Sequence, residues 1–200
     1  MPARIRLTLM AVATMVLLGA LAVVLLTDPK GRAEPTGGLQ GALPPPDMKT
    51  TDFALRDQDG KVARLADYLG KPVILTFLYS TCEDTCPIVA QQIKAANQQL
   101  DEKVPTLALS VDPANDTPTS ARRFIREQGL SGQLRFLLGS RSELAPIWKA
   151  YGILPQGEGF DHTARVVVFD GRGRMRVAWP ADQLTPEGLA HDLRLLSAES

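Results

Sequence analysis

The hydrophobic positions of the chain fall into one long uninterrupted run near the start and several short runs after it. Leu7 to Leu26 contains no charged residue and consists mainly of Leu, Val, Ala and Met. About 20 such residues span the hydrocarbon core of a bilayer as a helix. A cleaved signal peptide is the alternative, but its apolar region is usually about 7–15 residues long and ends at a small-residue cleavage site. We therefore predict a short tail at residues 1–6 and an uncleaved transmembrane anchor at residues 7–26.

The hydrophobic periodicity disappears after this run. Thr27 to Met48 is rich in glycine and proline. Glycine keeps such a segment flexible, whereas Pro44-Pro45-Pro46 stiffens its end into an extended conformation. We expect residues 27–48 to form a linker and residues 49–200 to form one globular domain, because about 150 residues is an ordinary size for a domain with its own core.

Charge limits the class of partner but gives little guidance on orientation. The chain has 22 basic and 22 acidic residues, whereas surfaces that bind nucleic acid are usually visibly basic. We therefore expect no nucleic-acid partner. Arg4 and Arg6 before the anchor are matched by Lys30 and Arg32 after it, so the positive-inside rule barely decides the orientation. The short N-terminal tail favours a globular domain on the periplasmic side of the membrane.

Short apolar runs and helical patterns alternate along the predicted domain. Val73–Tyr79 and Pro105–Asp112 are apolar runs typical of buried strands, and Pro87–Leu100 between them has helical composition. This spacing indicates a βαβ unit with parallel strands. The other predicted elements are a strand at Leu134–Gly139, a β-hairpin of Ala164–Asp170 and Arg174–Trp179, and helices at Thr117–Gln128, Arg141–Tyr151 and Pro186–Leu196. The order predicts an α/β, thioredoxin-like fold with a central mixed sheet flanked by helices.

The only two cysteines, Cys82 and Cys86, lie where the first predicted strand gives way to the first helix. Unpaired N–H groups and the partial positive charge of a helix N-terminus favour thiolate over thiol. A purely structural disulfide is the alternative, but so short a loop restrains little of the unfolded chain. We predict reactive or metal-binding thiols that close as a disulfide or open around a soft ion such as Cu(I) or zinc.

The two histidines have different settings. His191 falls in the final predicted helix, where a partly exposed histidine is ordinary. His162 lies between a glycine-containing loop and an apolar strand. A lone histidine at the start of a strand is more often a hydrogen-bonded structural residue than a ligand. Whether His162 is a ligand therefore depends on the other motifs in the sequence.

Four short motifs accompany these residues in a fixed order. They are Cys-x-x-x-Cys-Pro at Cys82–Pro87 with Asp84 inside it, SVDPANDTP at Ser110–Pro118, KAYGI at Lys149–Ile153 and DHTA at Asp161–Ala164. In this combination, after a single N-terminal apolar span, the chain resembles the SCO/SenC family of copper-binding, thioredoxin-like, membrane-anchored proteins. The resemblance covers nearly the whole globular region, from about Thr51 to Leu196.

The resemblance implies a metal site and a role. Cys82, Cys86 and His162 would bind copper, as Cu(I) or Cu(II), and the two cysteines would also form a redox-active disulfide. The protein would deliver copper, or reduce thiols, during assembly of the copper centre of cytochrome c oxidase. Expected partners are the copper-bearing subunit of that oxidase or another copper protein, and a copper donor. The competing hypothesis is a thiol-disulfide oxidoreductase that reduces a metalloprotein, for which a distant imidazole is unnecessary.

Other residues near these motifs receive structural interpretations. Glu83 stands where the family commonly has proline, and the loop Ile153–Phe160 looks short; neither departure removes a predicted ligand. Asp112 and Asp116 are interpreted as turn-forming and helix-capping residues rather than metal ligands. Three aromatic residues are expected in the core or at its rim: Trp148, Tyr151 and Trp179.

Overall fold

The computed structural model describes residues 13–17, 38–45, 48, 50–157 and 164–199. Residues 13–17 are helical, and the rest of the predicted anchor lies outside the described residues, as does much of the predicted linker. Within the described ranges, no helix combines the length and the apolar character that crossing a bilayer requires.

The described part of the globular region contains seven strands in one sheet, four α-helices and a short 3-10 helix at Leu65–Tyr68. The strands are β1 (Ala54–Asp57), β2 (Val62–Arg64), β3 (Val73–Leu78), β4 (Thr106–Ser110), β5 (Leu134–Leu138), β6 (Arg165–Phe169) and β7 (Met175–Pro180). The helices are α1 (Thr85–Gln98), α2 (Pro118–Glu127), α3 (Arg141–Tyr151) and α4 (Pro186–Ala198). The strand order is β2-β1-β5-β4-β3-β6-β7.

The sheet is mixed, as the sequence predicts. Strands β3, β4 and β5 are parallel, whereas β6 runs antiparallel to β3 and β7 antiparallel to β6. The predicted βαβ unit is therefore present as β3-α1-β4, and the predicted ββα ending as β6-β7-α4. The structure confirms the α/β class with a central mixed sheet. Strands β1 and β2 and the 3-10 helix were not predicted.

Both faces of the sheet are covered, which explains why every residue of β3 except Thr76 is apolar. Ile74 and Leu78 face a core formed with α1, α2 and α4, whereas Leu75 and Phe77 face a second core formed with α3. Successive side chains of a strand point to opposite faces, so a strand covered on both sides is mainly apolar on both faces. Burial of each such apolar side chain contributes about 1.5–3 kcal/mol, which holds the strand that leads to Cys82 in the interior of the sheet.

Three of the four helices begin with a side-chain cap. Thr117, Ser140 and Thr185 each accept a hydrogen bond from a backbone N–H in the first turn of α2, α3 and α4, respectively. Such a cap satisfies a donor that the helix leaves unpaired. Thr117 rather than Asp116 caps α2, so the interpretation of Asp116 as a helix cap is wrong. Helix α1 begins after Asp84, whose side chain makes no capping hydrogen bond.

The segment at residues 38–45 packs against β7 and α4. Ala42 exchanges two backbone hydrogen bonds with Ala178, of 2.9 and 2.8 Å. The backbone N–H groups of Gln40 and Gly41 donate to the carboxylate of Asp192 over 2.7 and 3.0 Å. Trp179 Nε1 donates to the same carboxylate over 3.1 Å. Asp192 is fully buried and thus ties the entering chain to the last helix.

We predict that Asp192→Ala destabilises the fold strongly, because it leaves three N–H donors without their acceptor. A buried donor without a partner costs about 1–3 kcal/mol, so the free energy of unfolding should fall by about 3 kcal/mol or more. Urea unfolding followed by circular dichroism measures the change. The exposed Asp182 provides the control, since Asp182→Ala should change stability by less than about 0.5 kcal/mol. Equal effects of the two substitutions would contradict the prediction.

Candidate metal centre

One edge of the sheet gathers the segments that carry the candidate ligands. Because β3 and β4 are parallel, their carboxyl ends meet, with Leu78 opposite Ser110. The Val111 N–H donates to the Leu78 carbonyl over 3.0 Å, so the chains leave the two strands side by side. The antiparallel β6 begins at the same edge, where Thr76 Oγ1 donates to the Arg165 carbonyl over 3.2 Å.

Both cysteines lie at this edge as free thiols. Cys82 occupies the turn after β3, and Cys86 lies in the first turn of α1, as predicted. The Cys86 N–H donates to Cys82 Sγ over 3.3 Å. Cys82 is 8% exposed, whereas Cys86 is fully buried. A reagent or ion that approaches from solvent therefore meets Cys82 first.

The two thiols differ in acidity. A hydrogen bond from the Cys86 thiol lowers the pKa of Cys82 to about 5, against the opposing effect of burial and with help from the backbone N–H groups of Cys86 and Asp84. The pKa of Cys86 is raised, because its proton is held by Cys82 and because the residue is buried. The expectation that the helix N-terminus favours the thiolate therefore holds for Cys82 and fails for Cys86, where burial and the thiol pair outweigh the helix.

Asp116 connects the cysteine turn to the end of β4. Its Oδ1 accepts from Ser80 N over 2.7 Å and from Ser80 Oγ over 2.6 Å, and its Oδ2 accepts from Ser110 Oγ over 2.5 Å. Burial raises the pKa of this carboxyl despite these hydrogen bonds. Sequence reasoning missed the contact. The signal available to it was the polar SVDPANDTP stretch that directly follows a buried strand, at the same sheet edge as the cysteines.

Two aromatic residues of α3 support this edge from the opposite face of the sheet. Trp148 Nε1 donates to the Ser110 carbonyl over 3.0 Å. The Tyr151 ring lies between Phe77 and Phe169, with ring-centroid distances of 5.7 and 6.1 Å. Trp148 and Tyr151 are buried, as is Trp179 on β7. Their prediction as core aromatics is confirmed.

The third predicted ligand, His162, lies outside the described residues, as do residues 158–163 around it. On the preceding side, the Gln156 N–H donates to the Val111 carbonyl over 2.9 Å. Among the residues that the structure describes, no group of three or more His, Cys, Asp or Glu side chains is arranged to hold a metal ion. His191, on α4, has Nε2 3.3 Å from the Gly38 carbonyl oxygen, which fits its structural interpretation.

Known proteins resemble the chain in sequence and in structure. The mitochondrial SCO2 homologue of Bos taurus is 31% identical over 107 residues, which cover 51% of this chain and 40% of the bovine protein. The structure of Bradyrhizobium japonicum ScoI with copper bound is 30% identical, with a TM-score of 0.57, and the match covers 73% of this chain and 98% of that chain. BsSco, a member of the Sco family of cytochrome c oxidase assembly proteins in which a disulfide switch was identified, has a TM-score of 0.69 at 24% identity, with 80% and 100% coverage.

The match to the bovine relative spans less than half of that protein's length. The family model described as SCO1/SenC, by contrast, matches residues 42–197. This range contains both cysteines, the Asp116 loop, all seven strands of the described sheet and helices α1 to α4 except the last residue of α4. The chain therefore belongs to the SCO1/SenC family.

Proposed function

We propose that this protein is a copper chaperone, which binds one copper ion through Cys82, Cys86 and His162 and acts in assembly of the copper centre of cytochrome c oxidase. The observation that carries the proposal is the pair of free thiols at the sheet edge, with the Cys86 N–H donating to Cys82 Sγ. Membership of the SCO1/SenC family and the copper-bound structure of the Bradyrhizobium relative support copper as the cargo.

The chemistry of the thiol pair fits copper. Thiolates are soft ligands, which favour Cu(I) over harder ions. Both cysteines pack into the apolar core beneath α1, with Leu78 and Val89 among their neighbours in that cluster. An apolar surrounding limits water access to a bound ion, which favours the lower charge of Cu(I). Cys82 provides the first donor, since it is the more exposed sulfur and has the lowered pKa.

The anchoring of the neighbouring chain supports His162 as the third ligand. Gln156 is hydrogen-bonded to Val111 at the end of β4, and Arg165 to Thr76 in β3. Both strands end at the edge that carries the cysteines, so the segment between these anchors begins and ends near the thiol pair. Neutral imidazole is a good copper ligand. A third donor would complete a three-coordinate site for Cu(I).

The second candidate function is a thiol-disulfide oxidoreductase that reduces the cysteines of a metalloprotein partner. The asymmetry of the two thiols favours it: Cys82 is partly exposed with a pKa of about 5, and Cys86 is buried behind it with a raised pKa. A thiolate at the surface attacks a partner disulfide, and a second thiol then resolves the mixed disulfide. His162 has no part in that reaction, which separates the two functions.

We also propose that residues 7–26 anchor the protein in the membrane and that residues 27–48 form the linker to the domain at residues 49–200. The apolar run from Leu7 to Leu26 supports the anchor. The domain would then lie on the periplasmic side, within reach of a membrane-embedded oxidase. Its copper recipient would be the copper-bearing subunit of cytochrome c oxidase or another copper protein. Copper would come from a separate donor.

Copper binding should require the reduced thiols. The reduced protein should bind about one Cu(I), and the oxidised protein essentially none, because a metal ligand must be a thiolate and a disulfide has none to offer. Competition with a chromogenic Cu(I) chelator measures both forms. Equal binding by the two forms would place the copper site away from Cys82 and Cys86.

His162→Ala should weaken copper binding but leave thiol exchange nearly unchanged. Loss of a ligand should cost at least the ~10–100-fold in affinity that removal of a residue supporting a ligand costs. Chelator competition measures the affinity, and reduction of a model disulfide measures the exchange rate. His191→Ala is the matched control and should behave like the parent in both assays. A His162→Ala protein that binds copper as tightly as the parent would contradict the three-ligand site and favour the oxidoreductase instead.

The two thiols should react with iodoacetamide in a fixed order. The lowered pKa makes Cys82 a thiolate above about pH 5, so its modification should be rapid at pH 6 and slow as the pH falls through about 5. Cys86 has a raised pKa and should stay unmodified in the same samples. Peptide mass spectrometry measures both sites, and urea-denatured protein at pH 9 should be modified at both. Cys86→Ala should move the Cys82 profile to higher pH, and an unchanged profile would contradict the assigned cause.

A further inference from the structure

The turn that carries Cys82 is held by a carboxylate from another loop. Asp116 lies between β4 and α2 and accepts two hydrogen bonds from Ser80, two residues before Cys82. The same carboxylate accepts one from Ser110, the last residue of β4. Ser80 and Ser110 are both buried. A buried donor without its acceptor is costly, so these contacts constrain where the turn can lie.

Hydrogen bonds within the turn also hold it, since the Cys86 N–H donates to Cys82 Sγ over 3.3 Å. Helix α1 lacks the side-chain cap that begins α2, α3 and α4. Within the turn, the Cys82 N–H donates to the Tyr79 carbonyl over 3.3 Å, which is longer than a typical N–H···O hydrogen bond of about 2.9–3.0 Å. Ser80 Oγ also lies 2.7 Å from Ser120 Oγ in the first turn of α2. The turn is therefore held by these local hydrogen bonds together with the contacts of Ser80 to Asp116 and Ser120.

The same contacts reach the chain that leads to His162. Ser110 precedes Val111, whose carbonyl accepts the Gln156 N–H. Asp116 thus connects the cysteine turn to the end of β4. The same end of β4 holds Gln156, which precedes residues 158–163. A displacement of the turn relative to β4 would change the distance between the thiol pair and that segment.

We propose that Asp116 is a positioning residue for the metal centre, which acts through its hydrogen bonds to Ser80 and Ser110 rather than through its charge. It holds the turn so that Cys82 faces Cys86. The effect on copper rests on the proposed chaperone function. The effect on the mutual approach of the two sulfurs does not, since it concerns the dithiol alone.

Two substitutions separate the hydrogen bonds from the charge. Asp116→Ala removes every acceptor. Asp116→Asn is isosteric: its Oδ1 still accepts from Ser80, and its Nδ2 donates to Ser110 Oγ, so the contacts remain while the charge is lost. Asn115→Ala is the matched control, because this exposed neighbour donates to Asp112 and lies in the same loop.

The first measurement uses no metal. The full-length protein is equilibrated with reduced and oxidised glutathione, where dithiol and glutathione disulfide give the Cys82–Cys86 disulfide and two glutathione thiols. A loosened turn brings the sulfurs together less often, so Asp116→Ala should lower the equilibrium constant for disulfide formation by about tenfold or more. Asp116→Asn and Asn115→Ala should stay within about threefold of the parent. Alkylation of the remaining thiols and mass spectrometry measure the two forms.

The second measurement is Cu(I) competition on the same reduced variants. Asp116→Ala should bind copper at least about tenfold more weakly than the parent, and Asp116→Asn should restore most of the affinity. Circular dichroism checks that each variant is folded. If Asp116→Ala fails to fold, Ser110→Ala removes one of the hydrogen bonds and should shift both measurements in the same direction by a smaller factor.

Three results would overturn the positioning role. The first is a parental glutathione equilibrium in folded Asp116→Ala, or in the substitute Ser110→Ala, which would show that these hydrogen bonds do not position the sulfurs. Asp116→Asn could be as defective as Asp116→Ala, which would assign the effect to charge. Asn115→Ala could match Asp116→Ala, which would assign it to the loop as a whole. If the parent itself binds no copper, the chaperone function fails, and the glutathione equilibrium still decides the role of Asp116.

Discussion

The parallel pairing of β3 with β4 is the constraint on which the candidate site depends. It sets Leu78 opposite Ser110, so the cysteine turn and the Asp116 loop leave the sheet side by side. Two apolar cores, one on each face, hold β3 in the interior of the sheet, between β4 and β6. Slipping the register by one residue would exchange the two faces and would separate Ser110 from the turn. The geometry of the thiols thus depends on burial along the whole length of β3.

Burial also divides the chemistry between the two sulfurs. A helix N-terminus stabilises nearby negative charge, and Cys82 and Cys86 both lie beside the start of α1. Only Cys82 retains contact with solvent, and a thiolate there receives hydrogen bonds from the thiol and the N–H of Cys86. The buried partner keeps its proton because two neighbouring thiolates in an apolar setting would repel each other. The Cys82 thiolate is therefore available for nucleophilic attack, whereas Cys86 remains a buried, protonated thiol.

Sequence predicts the elements whose signals are local, and it fails where the signal comes from distant residues. Helix α3 was predicted with its observed bounds, Arg141–Tyr151, because its capping serine and its terminal glycine adjoin it in sequence. Strand β1 has four residues and β2 three, too few for alternation to be recognised. Their place in the sheet comes from the pairing of β1 with β5, where Arg56 lies opposite Leu138.

The site shows the same division between local and distant signals. An apolar run followed by a helical pattern was enough to predict that Cys82 and Cys86 lie where a strand gives way to a helix. Asp116 was interpreted as a cap because aspartate before a helix commonly plays that part. Its actual partner, Ser80, lies 36 residues earlier in the chain, and only the fold brings the two together. The raised pKa of Cys86 likewise depends on a core that no local pattern describes.

The two candidate functions compete for the same pair of sulfurs. Oxidation of the Cys82 thiolate and the Cys86 thiol to a disulfide releases two electrons and one proton, and it leaves no thiolate for a soft metal ion. A copper ion held by both sulfurs, in turn, removes the free thiolate that attacks a partner disulfide. Under the proposed function, a reductant must therefore act before the copper donor, and bound copper then protects the pair from oxidation. Because Cys86 is buried, an oxidant and a copper ion would both reach the pair through the more exposed Cys82. Copper bound there would therefore block the route that an oxidant takes.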